Sequence, residues 1–135
     1  MTGLHLGTVK IPVSDLGVSV PFYCDCLGLR VLFEVRRYGW VQLEGARFGI
    51  ALYELGKSDN AGPLGHDLDF HMTTDDPDGV LQRVRDRCPD AGWEVHVSGA
   101  YVLRLTDPDG NLLHIFAPGP DEDESLKTWP DSAVR

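Results

Sequence analysis

At 135 residues, with 42% hydrophobic and 24% charged side chains, the chain has the size and composition of one compact domain that can bury a core without disulfide or metal staples. Acidic residues outnumber basic ones 21 to 12, and the resulting charge of -9 repels nucleic-acid phosphates and anionic lipid, while no apolar run approaches the roughly 20 residues of a membrane helix. Nucleic acid and membrane are thereby excluded as expected partners, and a small neutral or cationic ligand is favoured. Residues 1–5 carry neither a basic start nor an apolar stretch, so the expected location is the cytoplasm.

Residues 6–13 place Val9, Ile11 and Val13 on one face, the period of a half-buried strand. Ser14 is the expected N-cap of a helix with Leu16, Val20, Tyr23 and Leu27 as its apolar stripe and Gly28 as its stop. Pro21 inside that helix predicts a kink or one lost backbone bond. Three strands are expected next, at Arg30–Val35, Trp40–Leu43 and Phe48–Tyr53, with turns at Tyr38-Gly39 and Glu44-Gly45. Residues 55–66 lack periodicity, are dense in breakers and read as a linker.

The second half repeats this order. A strand at Leu68–Thr74 has Phe70, Met72 and Thr74 on one face, and a cap at Asp75 or Asp76 with Pro77 in the first turn opens a helix. Val80, Leu81, Val84 and Cys88 form its stripe, Pro89 and Gly92 end it, and strands follow near Trp93–Val97, Tyr101–Thr106 and Leu112–Ala117. Caps and stopping glycines recur at an offset of about 60 residues, the mark of a duplicated βαβββ module. The expected division is a single domain over 1–118, with modules at 4–54 and 67–118, and an acidic tail at 119–135. The tail is either solvated or docked through Leu126 and Trp129. Cys24, Cys26 and Cys88 are odd in number, and the first two point to different faces of the helix. They read as free, buried or half-buried thiols, with no disulfide framework or zinc knuckle.

Two pieces of sequence carry a family resemblance. Val13-Ser14-Asp15-Leu16, then Pro21-Phe22-Tyr23 and Leu27-Gly28-Leu29, resembles the V-x-D-L, F-Y and L-G-L opening of glyoxalase, bleomycin resistance and extradiol dioxygenase modules, the vicinal oxygen chelate superfamily. Asp107-Pro108-Asp109-Gly110-Asn111, running into Leu112-Leu113-His114, resembles the D-P-D-G-N-x-x-E hairpin that closes them. In physical terms this is a turn in which Pro fixes φ, Gly supplies a positive φ, and Asp and Asn bond locally to the backbone. The resemblance covers about residues 4–118. It implies an α+β fold in which two tandem βαβββ modules form a curved, mixed, eight-stranded sheet around a cleft, with the helices outside.

The resemblance also places the family's metal-ligand positions at Thr8, Ala51, Asp69 and His114. A divalent ion needs three or four imidazole or carboxylate donors, and a hydroxyl and a methyl cannot supply them. No cofactor is therefore expected. The alternative is a metal held by Asp69, His71 and His114, since strand alternation puts His71 on the face of Asp69. The drug-sequestering members similar to bleomycin resistance proteins end in D-P-x-G-N-x-x-H, lack a metal and are acidic, as here. The implied function is binding of a small aromatic or cationic compound, and the alternative is a metal-dependent lyase, isomerase or ring-cleaving dioxygenase of the same superfamily. The rings available for stacking are Trp40, Tyr53, Tyr101 and Phe116, each of which would otherwise serve core packing. Asp69 is a possible acidic contact, and Lys10 and Arg104 leave room for an anionic ligand. His114 faces the cleft between the inward Leu113 and Ile115, as a lining residue, a ligand or an acid–base group. His5, His66 and His96 read as surface residues, and Trp93 as packing. Open strand edges and a concave sheet predict a homodimer.

Overall fold

The computed structural model describes residues 3–4, 6–65 and 72–119. Expectations that fall on His5, His66, Asp69, Phe70, His71 and the tail from residue 120 lie outside them. Strand β1 (Val9–Val13), helix α1 (Leu16–Leu27), β2 (Arg30–Val35), β3 (Trp40–Glu44) and β4 (Gly49–Glu54) form the first module. β5 (Met72–Thr73), helix α2 (Pro77–Arg85), β6 (Glu94–Val95), β7 (Tyr101–Thr106) and β8 (Leu112–Ala117) form the second. The eight strands fall into two open four-stranded mixed sheets with the same internal order, β1-β4-β3-β2 and β5-β8-β7-β6. In each, the module's first and last strands pair in parallel and the other pairs are antiparallel.

One face of each sheet makes the core. Ile11 and Val13 on β1, Val41 and Leu43 on β3, and Ile50 and Leu52 on β4 are in register on one side of the first sheet and are buried with Leu16, Phe22, Tyr23 and Cys26 of α1. Leu103, Leu105, Leu113 and Ile115 do the same in the second, with Val84 of α2. The two helices touch each other, and α1 also packs on β4. Val9, expected on the buried face, is 40% exposed, because β1 begins there and the chain before it lies in solvent.

Helix α1 differs from expectation at its start and along its stripe. Its N-cap is Asp15, whose carboxylate accepts from the Gly17 N–H at 2.8 Å, because Ser14 is engaged elsewhere: its N–H and hydroxyl both donate to Asp109, far along the chain. The buried stripe is Leu16, Ser19, Phe22, Tyr23 and Cys26, with Val20 and Leu27 only half-buried. The helix is turned so that a polar serine faces inward, which the hydrophobic pattern does not show. Pro21 sits exposed inside it, without an N–H to offer the turn before it. Gly28 ends the helix with φ of 68°, the left-handed conformation that favours glycine, and it lies beside the flexible guanidinium end of Arg83.

The turn at residues 107–111 is the main polar clasp of the molecule. Asp107 Oδ1 accepts from the N–H groups of Asp109 and Asn111, both at 2.9 Å, and Gly110 takes φ of 85°. Those are the local bonds expected of the turn. The same turn also reaches the first module: Tyr23 Oη donates to Asp107 Oδ2 at 2.6 Å, Asn111 Nδ2 donates to Asp107 Oδ2 and to the Pro12 carbonyl, and Gly65 N–H donates to Asn111 Oδ1.

Candidate functional site

The sheet face turned away from the helices gathers most of the expected site residues, in two groups. On the first sheet the register sets Lys10 beside Ala51, Gln42 opposite Ala51, and Trp40 opposite Tyr53. These positions alternate with the buried Ile11, Val41, Leu43, Ile50 and Leu52 and so share the other face. Lys10 Nζ lies 4.8 Å from the centre of the Tyr53 ring, a cation–π contact. Thr8 precedes β1, and its hydroxyl accepts from the Gln42 amide at 3.0 Å.

On the second sheet Arg104 is opposite His114, and Val102 is opposite Phe116. Arg104 is bound to Glu94 on the neighbouring strand β6, so its charge is already matched within the sheet. Phe116 receives His96 edge-on, with ring centres 5.4 Å apart and planes at 84°. His96 is therefore a half-buried ring partner, not the surface residue expected from the sequence, and its Nδ1 is 3.0 Å from the Ser98 hydroxyl. Tyr101 lies three residues from Arg104 and so falls on the opposite face, with Leu103 and Leu105. Asp69 and His71 lie outside the described residues. Trp93 packs against the core and donates its indole N–H to the Pro77 carbonyl at 3.1 Å.

Gln42 is the site residue that sequence reasoning passed over. It is nearly buried, 9% exposed, between the core residues Val41 and Leu43, and it points to the site face. The available signal was a lone amide in an otherwise apolar strand, which needs a hydrogen-bond partner once buried. An open hollow of about 570 Å3 adjoins it, lined by Thr8, Phe33, Gln42, Glu44 and Arg47 among others.

The donor chemistry at these corners bears on whether a metal fits. The Thr8 hydroxyl is taken by an amide and Ala51 has no donor atom, so the first sheet offers neither imidazole nor carboxylate at the two positions where the resemblance puts ligands. Among the described residues no three His, Cys, Asp or Glu side chains converge as a metal site would require. The described part of the site does not fit a divalent ion. Among the described residues, no helix is long and apolar enough to cross a membrane.

A family model described as the Glyoxalase/Bleomycin resistance protein/Dioxygenase superfamily matches residues 5–115. The catechol-2,3-dioxygenase of Bacillus subtilis (strain 168) is 27% identical over 130 residues, which are 93% of this chain; the chain spans only 44% of that enzyme's length. Among solved structures, a member of the same superfamily from Sphaerobacter thermophilus DSM 20745 superposes with a TM-score of 0.69 at 21% identity, covering 87% of this chain and 99% of the other. TnmS3, an antibiotic binding protein from Streptomyces sp. CB03234, superposes with a TM-score of 0.67 at 22% identity, covering 88% and 99%. At these identities the structural likenesses establish the fold.

Proposed function

The chain belongs to the glyoxalase/bleomycin resistance protein/dioxygenase superfamily, and on that premise we propose that it is a metal-free binding protein for a small aromatic or cationic compound. The observation that carries this reading is the pair of corners at Thr8 and Ala51, where one side chain has no donor atom and the other is held by the Gln42 amide. What remains on the site faces is suited to holding a flat ligand: the half-buried rings of Trp40 and Phe116, with Tyr53 beneath Lys10. The net charge of -9 draws a cationic ligand from a distance, whereas Lys10 on the site face favours a neutral ring at close range. TnmS3, which binds an antibiotic, shares the fold and supports drug sequestration as the use of such a site.

A second reading keeps catalysis. Similarity to a catechol-2,3-dioxygenase favours ring cleavage or lyase chemistry at an ion held by Asp69, His71 and His114. The two readings part on metal content and ligand response. Protein purified without added metal should hold no stoichiometric ion, and its melting temperature should rise with aromatic antibiotics or catechols whether or not a chelator is present. Trp40→Ala should lose most of that rise, about the 1–3 kcal/mol of one stacked ring, while its own melting point stays within a few degrees of the parent. A chelator-sensitive ion at one per chain would reject the metal-free reading. An unchanged ligand response in Trp40→Ala would remove that ring from the site.

We further propose that a second copy of the chain closes the cleft, in a homodimer working in the cytoplasm. The supporting feature is β2, an edge strand on which Val31, Leu32 and Phe33 are each 44–55% exposed.

A further inference from the structure

The side-chain amide of Gln42 is bonded at one end only. Its nitrogen donates to the Thr8 hydroxyl at 3.0 Å, while among the described residues no group donates to its oxygen. Thr8 decides which end is which: its hydroxyl gives its own proton to the Val9 carbonyl at 3.3 Å, so it takes a proton from Gln42 and leaves the amide oxygen as the unpaired atom. The nitrogen end is also enclosed, since a Cβ at Gly49 on the neighbouring strand would lie 3.3 Å from it. At 9% exposure, a carbonyl oxygen without a donor is costly, and a ligand that supplies one relieves that cost. Gln42 lines the open hollow of about 570 Å3 beside it. The pairing of β2 with β3 sets Val31 opposite Leu43 but Phe33, not Leu32, opposite Gln42. An unbroken ladder would put Leu32 there and turn Phe33 to the other face. The inserted residue therefore carries the Phe33 ring onto the row of Gln42, and both Leu32 and Phe33 wall the hollow. Glu44, at its side, is paired with Arg30 at 2.6 Å, and Arg47 stands at the exposed rim, so the hollow favours an uncharged body over a cation.

We propose that the amide oxygen of Gln42 selects the ligand, accepting a hydrogen bond from an O–H or N–H group on the edge of an uncharged aromatic compound whose ring lies in the hollow against Phe33. The inference rests on the aromatic-binding reading above and narrows it to rings that carry a donor. A ring edge without a donor leaves the oxygen unpaired, and the affinity lost is about tenfold. Thr8 is a positioning residue: by holding the amide nitrogen it fixes which end of Gln42 the ligand meets.

The test measures affinities of the full chain by protein NMR titration at pH 7 for two matched pairs, indole with benzothiophene and catechol with 1,2-difluorobenzene. The members of each pair are close in size and shape and differ in whether they carry a donor. Burial alone favours the less polar member, so a preference for indole and for catechol requires an acceptor in the site. The expected result is a several-fold preference for the donor in each pair, with a ratio that falls about tenfold in Gln42→Met, which keeps the side-chain length and removes the acceptor. Should Gln42→Met not fold, the side-chain carbonyl carbon of Gln42 in the unsubstituted protein takes its place: its resonance should move with indole and stay with benzothiophene. Equal or reversed affinities within either pair that binds overturn the proposal and leave the aromatic-binding reading standing. A preference that Gln42→Met retains in full, or a Gln42 resonance that responds alike to both compounds, also overturns it. Absence of binding by all four compounds rejects the aromatic-binding reading itself, and this inference falls with it.

Discussion

Asp107 has two donors on each carboxylate oxygen: the N–H groups of Asp109 and Asn111 on Oδ1, and the Tyr23 hydroxyl and Asn111 amide on Oδ2. At 4% exposure its two oxygens are cut off from water, and these four donors replace the hydrogen bonds that water would make. Burial, and then the hydrogen bond and charge of Asp107, raise the Tyr23 pKa far above the ordinary tyrosine value, so the phenol stays protonated and donating. Its contribution to stability is fully present below that ordinary value and is lost only as pH rises through the raised one. Tyr23→Phe should therefore cost about 1.5–3 kcal/mol at neutral pH in denaturant unfolding, the worth of a hydrogen bond to a charged acceptor. A loss below about 0.5 kcal/mol would show that water replaces the phenol.

Helix α1 is fixed at its start by two carboxylates from different places. Asp15 caps Gly17 locally, and Glu54, from the end of β4, accepts from the Leu16 N–H at 2.8 Å while also pairing with Lys57. The Leu16 N–H first, and Lys57 after it, hold the Glu54 carboxyl below the usual glutamate range. A lowered value means that Glu54 stabilises the fold above the ordinary carboxylate range and loses that effect as pH falls through its own value. Thermal melts from pH 7 downward should show a parent protein that loses stability on acidification more steeply than Glu54→Gln. Parallel pH profiles for the two would contradict the role. The opposite end of α1 depends on Gly28, legible in sequence as a stop, although its contact with Arg83 of α2 was not.

At the scale of the whole molecule, the exposed apolar edge at β2 makes the oligomeric state a direct question. Light scattering at micromolar concentration should give twice the chain mass, and Phe33→Glu should shift it to the monomer without loss of helix content. A parent that is monomeric throughout would reject the dimer and, with it, a cleft closed by a second copy. The acidic surface does not decide this, because charge governs solubility and long-range attraction and not which apolar faces meet.

Local chemistry made most of the fold legible: alternation found the long strands, breakers found the turns, and the repeated order gave two βαβββ units, because these depend on residues a few positions apart. The same reasoning misplaced the cap at Ser14, which depended on Asp109, and counted both Tyr101 and Arg104 toward the site although three residues apart on one strand they face opposite ways. Gln42 against Thr8 and His96 against Phe116 are pairings that only folding produces. By itself the sequence determined the elements, because side-chain type and period are written residue by residue, while the missing donors at Thr8 and Ala51 are what the family resemblance implies. Which side chains meet was decided by tertiary structure, because contact depends on how two modules dock, and no local pattern encodes that.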